Sequence, residues 1–169
     1  KDFASLCFFA KFAQNYKKMK LFKIETGFFS SDGGAYFGSV PKLAWQEAYP
    51  ADKDNLCKMA MRSILIKTED KLILIDTGIG IKHLDVMEDY GFYGIIRFEE
   101  ELNKLGFSCN DVTDVVLTHL HFEHCGGCTW IDSNFQLQLT FPNATHWISD
   151  EQWKNMLQPN LAEENSIFM

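Results

Sequence analysis

The stretch Val115-Val116-Leu117-Thr118-His119-Leu120-His121-Phe122-Glu123-His124-Cys125-Gly126-Gly127 begins as an apolar run and ends among metal-binding side chains. Residues 114–117 read as a short buried strand, β-branched and apolar with polar flanks. Three of the chain's five histidines then fall within six residues. His119, His121, Glu123 and His124 carry nitrogen or oxygen donors of the kind Zn²⁺ accepts at roughly 2.0–2.2 Å, at a strand end where the backbone is free to turn. Imidazoles crowded together without a metal would desolvate one another, at about 1–3 kcal/mol per unpaired buried group. The cluster therefore reads as a metal site, whereas His83 and His146, taken singly, read as surface or satisfied core residues. Gly126 and Gly127 let the chain fold tightly behind the donors.

Two other readings of this stretch are weaker. His121, Glu123, Cys125 and Cys128 supply the residue types of a zinc deaminase site, but that pattern needs a Pro before its first Cys and two separate elements, and here the residues are contiguous. Cys125-Gly126-Gly127-Cys128 has redox spacing, yet it follows a metal ligand rather than opening a thioredoxin-like unit.

Working outward, residues 59–66 and 71–75 are apolar runs joined by the polar Thr68-Glu69-Asp70, the pattern of a hairpin. Asp76 ends the second run. It reads either as the cap of the following turn or as a carboxylate that fixes a ligating imidazole by accepting its free N–H. Residues 19–25 suit a first strand ended by Gly27. Residues 28–38, aromatic and glycine-rich, suit a loop turning at Asp32-Gly33-Gly34, its aromatics packing as a hairpin on the sheet. Residues 40–55 read as an irregular crossing with at most one helical turn, and residues 77–91 as a loop. Apolar residues at helical spacing predict a helix over 92–105, stopped by Gly106. Residues 135–141 and 144–148 read as strands. Ser149 opens a helix with acidic residues in its first turn, turning Trp153 and Met156 inward.

Taken together, these features resemble the metallo-β-lactamase fold hydrolases. VVLT followed by HLHFEHCGG is similar to the family's His-x-His-x-Asp-His signature, and Leu72-Ile73-Leu74-Ile75-Asp76-Thr77-Gly78 resembles the earlier strand ending in Asp-Thr-Gly. Pro142-Asn143-Ala144 running into Trp147-Ile148-Ser149 resembles the strand that follows. Asp32-Gly33-Gly34-Ala35 through Val40-Pro41-Lys42, with Trp45 and Pro50, is similar to the lactonase-like and phosphotriesterase-like branch, a resemblance that implies a second reading of the aromatics of residues 28–38, as one wall of a substrate pocket. The resemblance implies an α/β (α+β) fold, a four-layer αββα sandwich, of which this chain covers the amino-terminal half. Residues 1–18 would be an extension and 19–169 the amino-terminal part of the domain.

Carried over by position, the resemblance places His119 and His121 at a first zinc, Glu123 and His124 at a second, and Asp76 and Glu123 among the catalytic residues. It implies Zn²⁺ as cofactor, with the pKa of metal-bound water lowered towards about 7 so that it attacks a lactone, ester or related small-molecule substrate. Glu123 departs from the family's Asp, and its carboxylate lies one methylene, roughly 1.5 Å, farther out. That puts the second site in doubt. The alternatives are a di-iron redox protein on the same fold, for which Glu is a natural ligand, and a non-catalytic metal-binding fragment.

Composition narrows the partners. The chain has 169 residues, 46% hydrophobic and 23% charged, with a formal net charge of −7. That balance disfavours nucleic acid, whose binding depends on Lys and Arg displacing counterions. No run approaches the eighteen apolar residues of a membrane span, and Lys11 interrupts the apolar residues 3–12 that could pass for a secretory signal. Five cysteines in no regular framework suit reduced thiols in a cytoplasm. Starting at Lys1 and stopping on the apolar Ile167-Phe168-Met169, the chain reads as a piece of a longer one.

Overall fold

The computed structural model describes residues 18–82, 84, 91–161 and 164–167. The extension ending at residue 18 and His83 fall almost wholly outside the described residues. A five-stranded sheet runs in the order β1-β2-β3-β4-β7, from β1 (Lys20–Asp32), β2 (Leu56–Lys67), β3 (Leu72–Ile75), β4 (Asp114–Val116) and β7 (Thr145–Trp147). The first three strands are antiparallel; β3, β4 and β7 are parallel. A separate antiparallel ribbon pairs β5 (Thr129–Ile131) with β6 (Leu137–Leu139). The described residues thus form one large sheet and this ribbon, as the amino-terminal half of a two-sheet sandwich would.

The expected hairpin of 59–66 and 71–75 is present, with Ile64 opposite Ile75 and Lys67 opposite Leu72. The first strand does not end at Gly27. The register shifts between Glu25 and Gly27, and Gly27 takes φ 145°, so the extra residue makes a bulge that bends the strand without stopping it. Beyond the bulge β1 continues through Phe28 and Phe29 to Asp32, in place of the expected loop. Asp32 then caps α1 (Gly33–Phe37) by accepting from the Gly34 N–H at 2.7 Å. The crossing that follows has one helical turn, α2 (Lys42–Trp45).

The helix expected over 92–105 is shorter, α3 (Phe98–Lys104). Tyr93 exchanges both backbone hydrogen bonds with Phe28 at 2.9 Å, and Gly94 takes φ 62°, so residues 92–97 lie extended along β1. Their apolar spacing serves a second cluster, in which Met61, Ile79 and Phe92 pack with Phe29, Ile95 and Phe122. The helix proper buries Phe98 and Leu102, one turn apart, against Leu72, Leu74, Val115 and Phe141. A fully buried Leu contributes about 1.5–3 kcal/mol by leaving water, so this stripe anchors the helix to the sheet.

The last segments also differ from expectation. Residues 135–141 yield only Leu137–Leu139 as strand, all exposed, because Asp132 accepts from the Asn134 and Gln136 N–H groups and holds Phe135 in a turn at φ 60°. Helix α5 (Asp150–Leu157) has its Ser149 cap, which accepts from the Gln152 N–H. It has no buried residue: Met156 is half-buried and Trp153 is 50% exposed, so Trp153 does not turn inward.

Candidate metal centre

Parallel strands place the site. Because β3 and β4 run side by side in the same direction, both release their chains at one sheet edge, Asp76 after β3 and Thr118 after β4. Asp76 turns there at φ 56°, a left-handed conformation costly for a residue with a Cβ and kept where the surroundings over-determine it. Its N–H donates to the Val116 carbonyl at 2.9 Å, and the next N–H, of Thr77, donates to the His124 carbonyl at 2.7 Å. Between those bonds the carboxylate points into the loop after β4.

There it accepts four hydrogen bonds. Oδ1 takes the Thr118 N–H at 2.8 Å, the Thr118 hydroxyl lies 3.0 and 2.8 Å from the two oxygens, and Oδ2 takes His124 Nδ1 at 2.9 Å. Burial pushes the Asp76 carboxyl up, but the hydrogen bonds from His124 and Thr118 outweigh it and hold the group below the usual carboxylate range. The Thr118 oxygen also lies 3.0 Å from His119 Nδ1. With the hydroxyl proton given to Asp76, that oxygen accepts from His119. Both imidazoles then turn Nδ1 towards Asp76 and Thr118, and keep Nε2 for the opposite side.

That opposite side is a donor cluster. His119, Glu123 and His124 each bring one ligand atom within 4.8 Å of the others. The His119 and His124 ring centres are 3.9 Å apart. His121 stands beside them, its ring 4.6 Å from that of His119 and its Nδ1 3.7 Å from Glu123 Oε1. The expected division put His119 with His121 and Glu123 with His124; the three converging atoms come from both pairs. Burial, with His124 and His121 nearby, holds His119 below the usual imidazole range, which favours the neutral, ligating form. Among the described residues, Glu123 Oε2 is buried with no hydrogen-bond partner. An acceptor in that state costs about 1–3 kcal/mol unless a cation satisfies it, so the donor set fits a divalent ion.

Glycine packing holds the cluster in place. Helix α4 (Phe122–Cys125) carries Glu123 and His124 and runs into a 3-10 turn, Gly126–Cys128. A Cβ on Gly126 would lie 2.2 Å from the Ile79 carbonyl oxygen, and one on Gly127 2.1 Å from that of Thr77. The two loops therefore touch backbone to backbone.

The cluster forms one end of an open cleft of about 1060 Å³ that includes Phe28, Phe29, Tyr36, Tyr49, Met59, Met61 and Tyr93 in its walls. Phe37, from the same aromatic stretch, instead stacks on Trp45 at 4.4 Å. Thr118 carries no metal donor, and its only signal in the sequence is its position between the strand and the first histidine. Tyr49, Met59, Met61 and Tyr93 reach the cleft from distant elements and left no local pattern.

Residues 62–139, from mid-β2 to the end of β6, match the sequence model of the metallo-beta-lactamase superfamily. That segment is a little under half of the chain, and over it the sequence is similar to the superfamily. A probable metallo-hydrolase of Mycobacterium tuberculosis is 36% identical over a match covering 38% of this chain and 24% of the relative. A probable metal-dependent hydrolase from Staphylococcus aureus superposes with a TM-score of 0.81 at 27% identity, over 89% of this chain and 54% of that one. AidC, a dizinc quorum-quenching lactonase solved with the product N-hexanoyl-L-homoserine, superposes at 0.64 with 28% identity, over 88% and 47%. The chain thus spans about half the length of these solved relatives. Its one large sheet and the ribbon form a part of the metallo-β-lactamase fold.

Proposed function

We propose that this chain supplies the metal-binding half of a zinc-dependent hydrolase acting on a lactone or another ester of a small molecule. The observation that carries the reading is the convergence of His119, Glu123 and His124 at the end of an aromatic cleft, braced from behind by Asp76. His121 joins them as a fourth ligand. The AidC likeness, to a dizinc lactonase, supports both the metal and the substrate class.

A bound zinc supplies Lewis acidity and an activated water. The chain's residues supply the rest. Asp76 holds His124 in one orientation and Thr118 does the same for His119, so the donors are placed before the ion arrives. Tyr36, Tyr93 and Phe28 give the cleft an apolar lining with phenolic hydroxyls, suited to an ester carrying an acyl or aryl group. A di-iron redox centre is the second reading, favoured by Glu123, whose carboxylate is a hard donor suited to iron.

The test loads the whole protein, of which this chain is the metal-binding half, with zinc or with iron and follows hydrolysis of an acyl lactone, an aryl ester, a phosphotriester and a β-lactam. The 169-residue chain alone is expected to be inactive. Turnover of the lactone or aryl ester with zinc, lost in the His119→Ala/His121→Ala variant, is the expected result. Iron-dependent colour with reversible electron uptake and no hydrolysis would replace it with the redox reading.

A further inference from the structure

Strand β2 leaves part of one edge open beside the metal cluster. In an antiparallel pair, alternate residues direct both backbone groups at the same neighbour. The Thr68 N–H donates to the Lys71 carbonyl at 2.9 Å where β2 turns into β3, so Ile66 and Ile64, at steps of two, face β3. At the other end the Gly33 N–H donates to the Asn55 carbonyl at 2.9 Å, so Cys57, Met59 and Met61 face β1. The two counts agree: odd residues of β2 face β1, and even residues face away from it. Yet β3 stops at Ile75, opposite Ile64, and the next N–H, of Asp76, donates to the Val116 carbonyl on β4. Leu56 and Lys58 are met from outside the sheet, their carbonyls accepting from the Asp52 N–H at 3.0 Å and the Tyr49 hydroxyl at 2.5 Å. Between them and Ile64, the backbone N–H and C=O of Ala60 and Arg62 have no hydrogen-bond partner among the described residues.

That open edge runs along the cleft. All five residues from Lys58 to Arg62 line it; side chains of a strand alternate between its faces, so an unbroken run in the wall means that the edge itself forms the wall. Arg62 is the end beside the metal cluster, because Ile64 pairs with Ile75, the residue before Asp76. We propose that the free edge of β2 binds the backbone of a short extended peptide, which makes an ester or lactone of an apolar peptide the substrate. The proposal deepens the hydrolase reading and rests on it for the ester.

Strand addition at a sheet edge draws its affinity from main-chain hydrogen bonds. Groups two residues apart on β2 repeat at about 6.4–6.8 Å, the spacing of any extended peptide. Ala60 and Arg62 together offer two donors and two acceptors. A lone amide, with one N–H and one C=O, uses half of them, whereas a di- or tripeptide uses them all. Phe28 and Tyr93, stacked at 5.5 Å, and Met59, Tyr36 and Tyr49 stand around the edge. They suit apolar side chains, which leave an extended chain alternately on its two sides.

The experiment takes the whole, zinc-loaded protein and a probe with no ester to cleave, N-acetyl-Leu-Ala-Leu methylamide, and follows backbone amide signals by NMR. Those of Ala60 and Arg62 are expected to shift and to exchange with solvent more slowly, while those of Met59 and Met61, already bonded to β1, change little. N-methylation of the probe, one nitrogen at a time, is expected to weaken binding about 2–10-fold at alternate positions only, because only alternate N–H groups face the edge. Ala60→Pro removes one edge donor and leaves the β1 ladder intact, with the same expected loss; the N-methylated probes decide the matter if that variant does not fold. Three outcomes overturn the proposal: no binding of the probe, equal losses at every N-methylated position, or slow exchange at Ala60 and Arg62 before any probe is added, since another strand then holds the edge. Hydrolysis is scored separately, on N-acetyl-Leu-Ala-Leu methyl ester and methyl hexanoate, with the higher kcat/KM expected for the peptide ester. Edge binding without turnover of either ester leaves the peptide site standing and overturns the hydrolase reading instead.

Discussion

His124 Nδ1 lies 2.9 Å from Asp76 Oδ2, although 48 residues separate them in the chain. The contact ties the end of β3 to the helix that carries two of the three converging donors. Asp76→Asn keeps the shape and removes the charge and one acceptor. It is expected to weaken zinc binding about 10–100-fold, as losses of such supporting contacts do. Competition against a chromophoric chelator measures it, and an unchanged affinity with a lowered melting point would assign Asp76 to the turn alone.

Glu123 makes an opposite pair of demands on the metal-free and metal-bound protein. Its buried, unpartnered Oε2 burdens the metal-free state by about 1–3 kcal/mol. Glu123→Leu should therefore melt no lower than the parent without metal, while binding zinc at least about tenfold more weakly. Calorimetry with and without zinc separates the two effects; a variant less stable in both states would contradict the account.

The backbone contact between the two loops leaves no room for a side chain at 126 or 127. Gly127→Ala must displace the Thr77 carbonyl, an overpacking that costs about 1–3 kcal/mol. Thr77 also holds His124 through its N–H and hydroxyl, so zinc affinity should fall together with stability. Urea titration and metal analysis of one preparation test the coupling.

Acid should loosen the sheet through Asp114. This buried carboxylate receives the Lys71 ammonium at 2.9 Å, the Thr113 hydroxyl at 2.7 Å and the Trp147 indole N–H at 2.9 Å, so it links the start of β3 to β7. The hydrogen bond from Lys71, helped by Thr113 and Trp147, holds it below its ordinary value of 3.8. A carboxyl lowered on folding stabilises above its unfolded pKa and loses that contribution as pH falls through the folded one. The melting temperature of the parent should drop below about pH 4, and that of Asp114→Asn should be lower at pH 7 and change less. Parallel curves for the two proteins would show that Asp114 carries none of the acid sensitivity.

That His119, His121, Glu123 and His124 lie near one another was legible in the sequence because they are local. They fall within one strand end and one helical turn, and no packing elsewhere could separate them far. The parallel strands were legible as apolar runs, and the Ser149 cap as a side-chain type in its place. Residues 92–97 misled, since apolar spacing fits both a helix and an extended segment packed on β1, and only the pairing of Tyr93 with Phe28 chooses between them. Gly27 misled in the same way, as a stop in the sequence and a bulge in the sheet.

What the sequence by itself determined is the chemistry available: three imidazoles and a carboxylate at a strand end, with an aspartate ending a neighbouring apolar run. Which side chains that aspartate meets, and which donors converge, were decided only by tertiary structure. Asp76 meets His124 and Thr118 because β3 and β4 lie parallel and finish at the same edge, a relation fixed by hydrogen bonds between segments about forty residues apart. The walls of the cleft come from β1, β2 and the segment before α3 for the same reason. Contacts between distant segments depend on how the sheet is ordered, and no local pattern of residues records that order.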